Sequence, residues 1–242
     1  MKTPYPIVKR YEYPKLEAIT FPTGGRVYHT PHGHKVPSVT TILNILPKDG
    51  LKDWRDRVGD EEADRITDEA CRIGTTMHDR LEGYMSDYLQ GRPDIPPETD
   101  EEKLAYKMAE NMKRYGLPDL DEVWGIEEAL FCEHLYAGRT DLIGVYLGKS
   151  AIIDYKSARR WKKPDWVESY KMQLAAYNFC HKAMFGEGME TGVILIAVRP
   201  SDNPYSKQQS LQRFILTKKD MDHYEDLWLA LVESYYTNIN KT

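Results

Sequence analysis

Residues 151–157 read Ala-Ile-Ile-Asp-Tyr-Lys-Ser, and this stretch decides how the fold is interpreted. It begins as an apolar β-strand and then carries two charges where further apolar side chains are expected. Because alternate side chains of a strand share a face, Asp154 and Lys156 stand side by side and Tyr155 points the other way. The pair is either a solvated ion pair on an edge strand or part of a chemical site.

A second carboxylate is predicted close to this pair. A tight turn at Gly148 joins the predicted strands 141–147 and 151–155, and such a hairpin brings Asp141 near Asp154. Clustered carboxylates repel unless a cation neutralises them, and their oxygen atoms suit Mg²⁺ or Mn²⁺. A lysine beside such a metal can hold a water or a phosphate and stabilise charge in the transition state. Hydrolysis of a phosphodiester is the chemistry that fits.

The rest of the sequence predicts an α/β fold. A hairpin is expected within residues 1–36. Apolar periodicity predicts helices over residues 39–46, 51–66, 74–90, 101–115, 166–185 and 218–236, with a break from 91 to 97. Strands are predicted over residues 123–136, 141–147, 151–155, 193–199 and 211–216. This order indicates a central mixed β-sheet of about five strands flanked by helices, with a helical N-terminal portion.

Composition limits the functional classes. The 242 residues, 41% hydrophobic and 29% charged, suit a single domain with a hairpin and helical portion (1–120) and a core (121–242). No apolar run or signal sequence is apparent, so we expect a cytoplasmic protein without a membrane partner. Cys71, Cys132 and Cys180 are too sparse for a disulfide framework or an iron–sulfur cluster. A net charge of −5 speaks against a basic coat protein but not against local phosphate binding.

Five short motifs occur in order along the chain. They are Pro37-Ser38-Val39-Thr40-Thr41-Ile42-Leu43, Gly74-Thr75-Thr76-Met77-His78, Gly138-Arg139-Thr140-Asp141, Asp154-Tyr155-Lys156-Ser157 and Gln173-Leu174-Ala175-Ala176-Tyr177. The last four resemble the G-x-x-x-H, G-x-x-D, D-x-K-[ST] and Q-x-x-x-Y motifs of RecB-type exonucleases in the PD-(D/E)XK nuclease superfamily. The first resembles a segment of phage-encoded exonucleases and mitochondrial genome maintenance exonucleases. The resemblance spans about residues 25–200 and implies a restriction-endonuclease-like core.

The resemblance also implies a role for each matching residue. The implied metal ligands are His78, Glu128, Asp141, Asp154 and the carbonyl oxygen of Tyr155, and the implied catalytic residues are Glu128, Asp141, Asp154 and Lys156. Glu127 has the opposite parity in the strand and remains an alternative to Glu128. Without the resemblance, a lone helical histidine such as His78 is more typical of a structural role. The implied cofactor is Mg²⁺, with Mn²⁺ able to substitute, and no iron–sulfur cluster is expected.

A basic and aromatic run follows the implied catalytic lysine. Residues 156–163 read Lys-Ser-Ala-Arg-Arg-Trp-Lys-Lys, so five cations surround one tryptophan. Cations bind phosphates and Trp161 can stack on a base, although a solvated loop is the alternative. Gln173 and Tyr177 share a helix face and either support the site or hold DNA. The predicted DNA-binding residues are Arg139, Ser157, Arg159, Arg160, Trp161, Lys162, Lys163, Gln173 and Tyr177.

Three further histidines surround the predicted hairpin turn. His29, His32 and His34 have no cysteine or acidic partner close by in the sequence. We therefore interpret them as a polar hairpin tip rather than a metal site, with DNA contact as an alternative.

Together these patterns predict a Mg²⁺-dependent DNA exonuclease that acts on ends or single strands in recombination, repair or degradation. A phage source and a single-strand annealing or binding protein as a partner fit the resemblance, and the oligomeric state stays open. Alternatives on the same fold are a toroidal double-strand exonuclease, a structure-specific endonuclease and a non-catalytic DNA-binding module. A nucleotide or sugar-phosphate phosphohydrolase is a further alternative. The intact Asp141, Asp154 and Lys156 argue against the non-catalytic module.

Overall fold

A computed structural model of the chain describes residues 5–21, 24–47, 50–90, 96–201 and 210–239. Within these ranges the strands are β1 (Glu17–Thr20), β2 (Arg26–His29), β3 (Lys35–Pro37), β4 (Leu120–Cys132), β5 (Tyr136–Tyr146), β6 (Lys149–Ala158), β7 (Thr191–Val198) and β8 (Leu211–Leu216). The helices are α1 (Val39–Leu43), α2 (Leu51–Val58), α3 (Asp60–Gln90), α4 (Asp100–Tyr115), α5 (Glu168–Phe185) and α6 (Lys218–Ile239).

The central sheet has five strands in the order β4-β5-β6-β7-β8. Strands β6 and β7 are parallel and are connected through α5, whereas the other neighbouring strands are antiparallel. A separate antiparallel sheet is formed by β1, β2 and β3. The predicted fold class, an α/β fold with a mixed five-stranded sheet flanked by helices, is confirmed. None of the described helices is both long and apolar enough to cross a bilayer.

Two layers of helices cover the central sheet. On one face, Leu174 of α5 and Trp228 of α6 pack in the same apolar cluster as Ile194 of β7. On the other face, Met77 of α3 and Met112 of α4 pack in a second apolar cluster with further β7 residues. All eight residues of β7 are buried, which explains its continuous apolar sequence. The sheet is therefore a rigid middle layer from which the ends of β5 and β6 present polar side chains.

The helical N-terminal portion differs from the prediction in its boundaries. The predicted helices 51–66 and 74–90 are replaced by the short α2 and the 31-residue α3. The break lies at Gly59, whose φ of 86° is in the left-handed region that glycine adopts at little cost. Residues 67–73 contain no glycine or proline, so nothing interrupts the helix there. Most of the predicted break from 91 to 97 lies outside the described residues.

The strands before the site also differ from the prediction. The predicted bounds of two strands, 123–136 and 141–147, are wrong where the first ends and the second begins. In the structure β4 ends at Cys132 and β5 begins at Tyr136. The chain turns between them at His134, which has a φ of 67°. The tight turn predicted at Gly148-Lys149 is present one residue earlier: Leu147 and Gly148 are its central residues, with φ values of 52° and 73° as a type I′ hairpin requires, and Lys149 already begins β6.

Candidate active site

Asp141 lies where β5 and β6 separate. The paired register of the two strands ends at Leu142 and Ile153, one residue before Asp141 and Asp154 would meet. Beyond that point the carboxylate Oδ2 of Asp141 accepts a hydrogen bond from the backbone N–H of Tyr155. The side chain thus replaces a strand carbonyl as acceptor, which satisfies a buried donor and fixes the position of the carboxylate.

A histidine and a second carboxylate meet Asp141. Nδ1 of His78, on α3, lies 3.3 Å from Oδ1 of Asp141. The β4–β5 register places Glu127 opposite Asp141, and Glu127 has a φ of 52°, which is uncommon for a residue other than glycine. One ligand atom from each of these three residues lies within 4.8 Å of the others. Three separate elements, α3, β4 and β5, therefore converge here on a candidate metal centre. The unusual backbone angle of Glu127 agrees with this, because backbone outliers of this kind concentrate at functional sites.

Asp154 and Lys156 form the ion pair expected from the alternation of β6. Nζ of Lys156 contacts Oδ2 of Asp154, whose side chain is 2% exposed. The ring of Tyr170, on α5, lies with its centroid 5.2 Å from the same ammonium. The pair is therefore enclosed rather than solvated, and the edge-strand alternative is excluded because β6 is paired on both sides.

Two carboxylates of this site, Glu127 and Asp154, have too little positive charge around them to offset their burial. Burial, with a smaller contribution from Asp141, raises the pKa of Glu127 to about 7. Burial also raises the pKa of Asp154 to about 6, although Lys156 acts in the opposite direction. Ionising both groups at neutral pH therefore costs free energy unless a further cation enters the site.

The pKa values of the neighbouring groups are shifted toward their charged forms. Burial raises the pKa of Asp141, but His78, Lys156 and the N–H of Tyr155 together outweigh burial and leave that pKa below its usual value. Burial lowers the pKa of His78, but the Asp141 carboxylate outweighs it and the pKa is raised. For Lys156, burial likewise lowers the pKa, and the Asp154 and Asp141 carboxylates raise it above its usual value. Lys156 is therefore an ammonium, suited to stabilise negative charge rather than to accept a proton.

The donor atoms fit a hard divalent cation. Carboxylate oxygens with one imidazole nitrogen are ligands that Mg²⁺ and Mn²⁺ accept. The N–H of Tyr155 faces Asp141, and in a strand the carbonyl of a residue points to the same edge as its N–H, so the predicted carbonyl ligand faces the site. A cation bound here would supply the positive charge that the raised pKa values of Glu127 and Asp154 show to be missing.

Glu128 lies apart from this group. Its side chain packs against Gly125 and Tyr13, on the side of the N-terminal segment. Burial raises its pKa, and Arg139 is close enough to oppose that effect. Adjacent residues of a strand point to opposite faces, and here Glu127 is the one that faces His78. The structure thus brings Glu127, the alternative left open by the sequence, to His78 and Asp141, and it does not bring Glu128 there.

Two motif glycines allow the helices to approach the strands closely. A Cβ on Gly138 would lie 2.5 Å from the Tyr177 ring, and one on Gly74 would lie 3.3 Å from Oγ of Ser157. Nε2 of Gln173 donates a 2.9 Å hydrogen bond to the hydroxyl of Tyr177, and both side chains are buried. Burial keeps Gln173 and Tyr177 away from any surface that DNA could touch. Of the two alternatives left open by the sequence, this burial favours support of the site over contact with DNA.

The basic loop after β6 lies at the surface. Arg159, Arg160 and Lys163 are exposed. Two tryptophans accompany them: Trp161 is 42% exposed, and Trp166 is 58% exposed with the Lys163 ammonium 5.4 Å from its ring centroid. Cations and partly exposed tryptophan rings thus lie together directly after β6, an arrangement suited to phosphates and unpaired bases.

Some residues that support the site and the basic loop could not be identified from the sequence. Gln212 of β8 accepts a 2.7 Å hydrogen bond from the N–H of Lys162 and donates one of 2.9 Å to its carbonyl, which anchors the basic loop. Tyr170 contacts Lys156 from another element. Long-range pairs of this kind are visible only in the folded chain.

Arg139, one of the predicted DNA-binding residues, is exposed and lies beside the site. Its charge is close enough to Glu127 to lower the pKa of that carboxyl, which opposes the effect of burial.

Comparisons with known proteins agree with the class of enzyme indicated by the fold and the site. No family model matches the chain. The chain is 24% identical over 213 residues to human mitochondrial genome maintenance exonuclease 1 and 25% identical over 219 residues to the mouse protein. These alignments cover 83% and 84% of this chain but 58% and 59% of the relatives. The predicted resemblance to the RecB-type exonucleases and to the mitochondrial enzymes is thereby confirmed.

Two solved structures align weakly with the chain. A candidate exonuclease of Eubacterium rectale aligns with a TM-score of 0.44 and 18% identity, covering 72% of this chain and 66% of that one. A phage-related exonuclease of Haemophilus somnus aligns with a TM-score of 0.37 and 13% identity, covering 68% of this chain and 82% of that one. TM-scores this low carry no argument about function. The chain spans less than three fifths of the length of its mitochondrial relatives, so their activity enters only as a proposal.

Proposed function

We propose that the protein is a metal-dependent deoxyribonuclease, an exonuclease that hydrolyses phosphodiester bonds from the ends of single-stranded DNA. The observation that carries the proposal is the convergence of His78, Glu127 and Asp141 beside the enclosed Asp154–Lys156 pair. Similarity to relatives named exonucleases supports it. The proposed setting is DNA recombination, repair or degradation in the cytoplasm, with the whole chain acting as one nuclease domain.

The proposed metal is Mg²⁺, for which Mn²⁺ can substitute. The residues that would hold it are His78, Glu127, Asp141, Asp154 and the carbonyl of Tyr155. When bound, a divalent cation of this type supplies Lewis acidity toward phosphate oxygens and lowers the pKa of water. Asp141 and His78 orient each other through their 3.3 Å contact, which presents both to the same point.

Lys156 acts on the negative charge that develops during hydrolysis. Its ammonium is held between Asp154 and the ring of Tyr170, so its direction is set before substrate binds. Because the Lys156 pKa is raised by Asp154 and Asp141, the proton stays on Nζ. The group therefore donates hydrogen bonds to a phosphate oxygen or to the attacking water and stabilises the transition state electrostatically. The exposed loop from Arg159 to Lys163 would guide the strand toward it.

Cleavage of end-labelled single- and double-stranded DNA tests the proposal. Wild type should shorten single strands from an end in Mg²⁺ and lose this activity with a chelator. Lys156→Ala should reduce cleavage by at least about 100-fold, because transition-state charge loses its partner. The matched control is Lys149→Ala, an exposed lysine at the opposite end of the same strand, which should retain full activity.

Three outcomes would contradict the proposal. Full activity of Lys156→Ala, with a wild-type melting temperature, would remove this lysine from the chemistry. Metal-independent DNA binding without turnover would favour the non-catalytic module. Hydrolysis of free nucleotides with polymers left intact would favour a phosphohydrolase.

A further inference from the structure

A cavity of about 130 Å³ opens between α3, α4 and the ends of β6 and β7. Its apolar wall consists of Ile66, Ala70, Ile73, Leu104 and Met108. Glu69, Arg159 and Arg199 complete the lining together with Ser157 and Ala158, the two residues that follow Lys156. The cavity thus combines an apolar interior with a charged rim of two arginines and one glutamate, and Ser157 and Arg159 join it to the basic loop described above.

The cavity lies close to Lys156 in the chain, because the two residues that follow this lysine, Ser157 and Ala158, line its wall. Strands β6 and β7 are parallel, and both arginines follow their carboxyl ends, where ligands of α/β sheets commonly bind. Arg159 is three residues beyond Lys156, which corresponds to about 10 Å of extended chain. On α3, Ile73 precedes His78 by five residues, or about 7.5 Å of helix. Two independent elements therefore lead from the site to this cavity.

The two guanidinium groups differ in their partners. Nη1 of Arg199 lies 3.0 Å from Oε1 of Glu69, so this side chain is fixed at the rim. Arg159 is exposed, and among the described residues no carboxylate forms an ion pair with it, although its charge lowers the pKa of Glu62. Arg159 is thus available to an anion from solvent, whereas Arg199 can offer its planar face to a ring.

We propose that this cavity binds one unpaired nucleobase of the DNA, next to the scissile phosphate, while Arg159 binds the phosphate of that nucleotide. The inference rests on the proposed function and names the part of the substrate that is recognised. A closed apolar cavity of about 150 Å³ accepts benzene, so a cavity of about 130 Å³ that is open to solvent on one side matches a single base in size and is too small for a base pair. Only an unpaired base could enter it, which agrees with the proposed action on single strands.

The test combines a cavity-filling variant with abasic DNA. Ala70 is exposed at the cavity wall, so Ala70→Phe fills the space without disturbing the core. Ala230→Phe places the same change on an exposed alanine of α6 and is the matched control. The probes are oligonucleotides of one sequence that carry a single abasic residue at successive positions. Cleavage in Mg²⁺ is measured as kcat/KM for each probe.

Wild type should lose about tenfold in kcat/KM when the abasic residue occupies one particular position, and little elsewhere. Ala70→Phe should lose about tenfold on intact DNA and show no further loss at that position, whereas Ala230→Phe should behave as wild type. A flat abasic profile in an actively cleaving wild type would overturn the cavity proposal alone. Full activity and an unchanged profile in Ala70→Phe would do the same. If wild type neither binds nor cleaves DNA, the proposed function fails together with it.

Discussion

Among the described residues, two groups of histidines and carboxylates can be compared, and they differ in charge balance. In the first, His78 meets Asp141 and Glu127 beside the buried Asp154. In the second, Glu133 alone receives two histidines near the surface. Its Oε2 lies 2.9 Å from Nδ1 of His32 and its Oε1 lies 2.5 Å from Nδ1 of His34.

The pKa shifts of the carboxylates run in opposite directions in the two clusters. At Glu133, burial raises the pKa, but the hydrogen bonds from His32, Thr30 and His34 outweigh it and lower the pKa to about 2. At Glu127 and Asp154, burial dominates and the pKa values rise to about 7 and about 6. In the site, three carboxylates share His78 and Lys156, and the exposed Arg139 only partly opposes the rise of the Glu127 pKa. A deficit of positive charge among buried carboxylates therefore suits a cation site, whereas Glu133, with both oxygens paired, forms a balanced group that joins two hairpins.

The largest expected effect is a difference in DNA cleavage between variants of the two adjacent glutamates of β4, Glu127 and Glu128. Glu127→Gln should lower DNA cleavage by at least about tenfold, because a ligand that faces His78 and Asp141 loses its charge. Glu128→Gln, one residue away on the opposite face, should change cleavage by less than about threefold. Initial rates at several Mg²⁺ concentrations measure both variants, and extra Mg²⁺ should partly rescue Glu127→Gln. The reverse order of the two variants would return Glu128 to the site.

A smaller effect appears in stability as a function of pH. The folded pKa of Glu127, about 7, exceeds its ordinary value near 4.5, so the metal-free protein loses stability as pH rises between these values. Glu127→Gln, which stays neutral, should match wild type near pH 4. At pH 8 it should be more stable by about 2 kcal/mol without metal. Urea unfolding with a chelator measures this difference.

Saturating Mg²⁺ should reverse that order. A ligand at 100 times its Kd stabilises the folded state by about 2.7 kcal/mol, a gain that wild type should show and Glu127→Gln should largely lose. If Mg²⁺ fails to stabilise wild type at pH 8, the charge deficit does not mark a metal site. The interpretation of the two clusters as different in function would then be wrong.

The smallest effect is expected at the balanced cluster. Glu133→Gln removes a carboxylate that lies near the surface with two histidine partners, and such pairs contribute less than about 1 kcal/mol. The lowered pKa means that its contribution is present at neutral pH and is lost as pH falls toward 2. Thermal unfolding at pH 7 should therefore show a small decrease, and Mg²⁺ should not alter it. A Mg²⁺-dependent change would show that the balanced cluster also binds the cation.

The sequence predicted the elements of the core because local periodicity determines them. Alternation along residues 151–157 placed Asp154 beside Lys156, and the turn at Gly148 placed Asp141 on the neighbouring strand. The acidic partner of His32 and His34 could not be found from the sequence around these histidines. Glu133 lies about 100 residues away in the chain and reaches them only after the hairpins pack together.

The sequence by itself was therefore sufficient to predict the α/β class, the β5–β6 hairpin and the Asp154–Lys156 pair. Each of these depends on patterns among residues that are close in sequence. Only the tertiary structure decided that Glu127 rather than Glu128 faces His78, since that depends on a left-handed backbone angle within β4 and on the packing of α3. Tertiary packing also buried Gln173 and Tyr177 and opened the cavity between α3 and α4. Strand alternation acts over two residues, whereas burial and cavity shape depend on how distant elements meet.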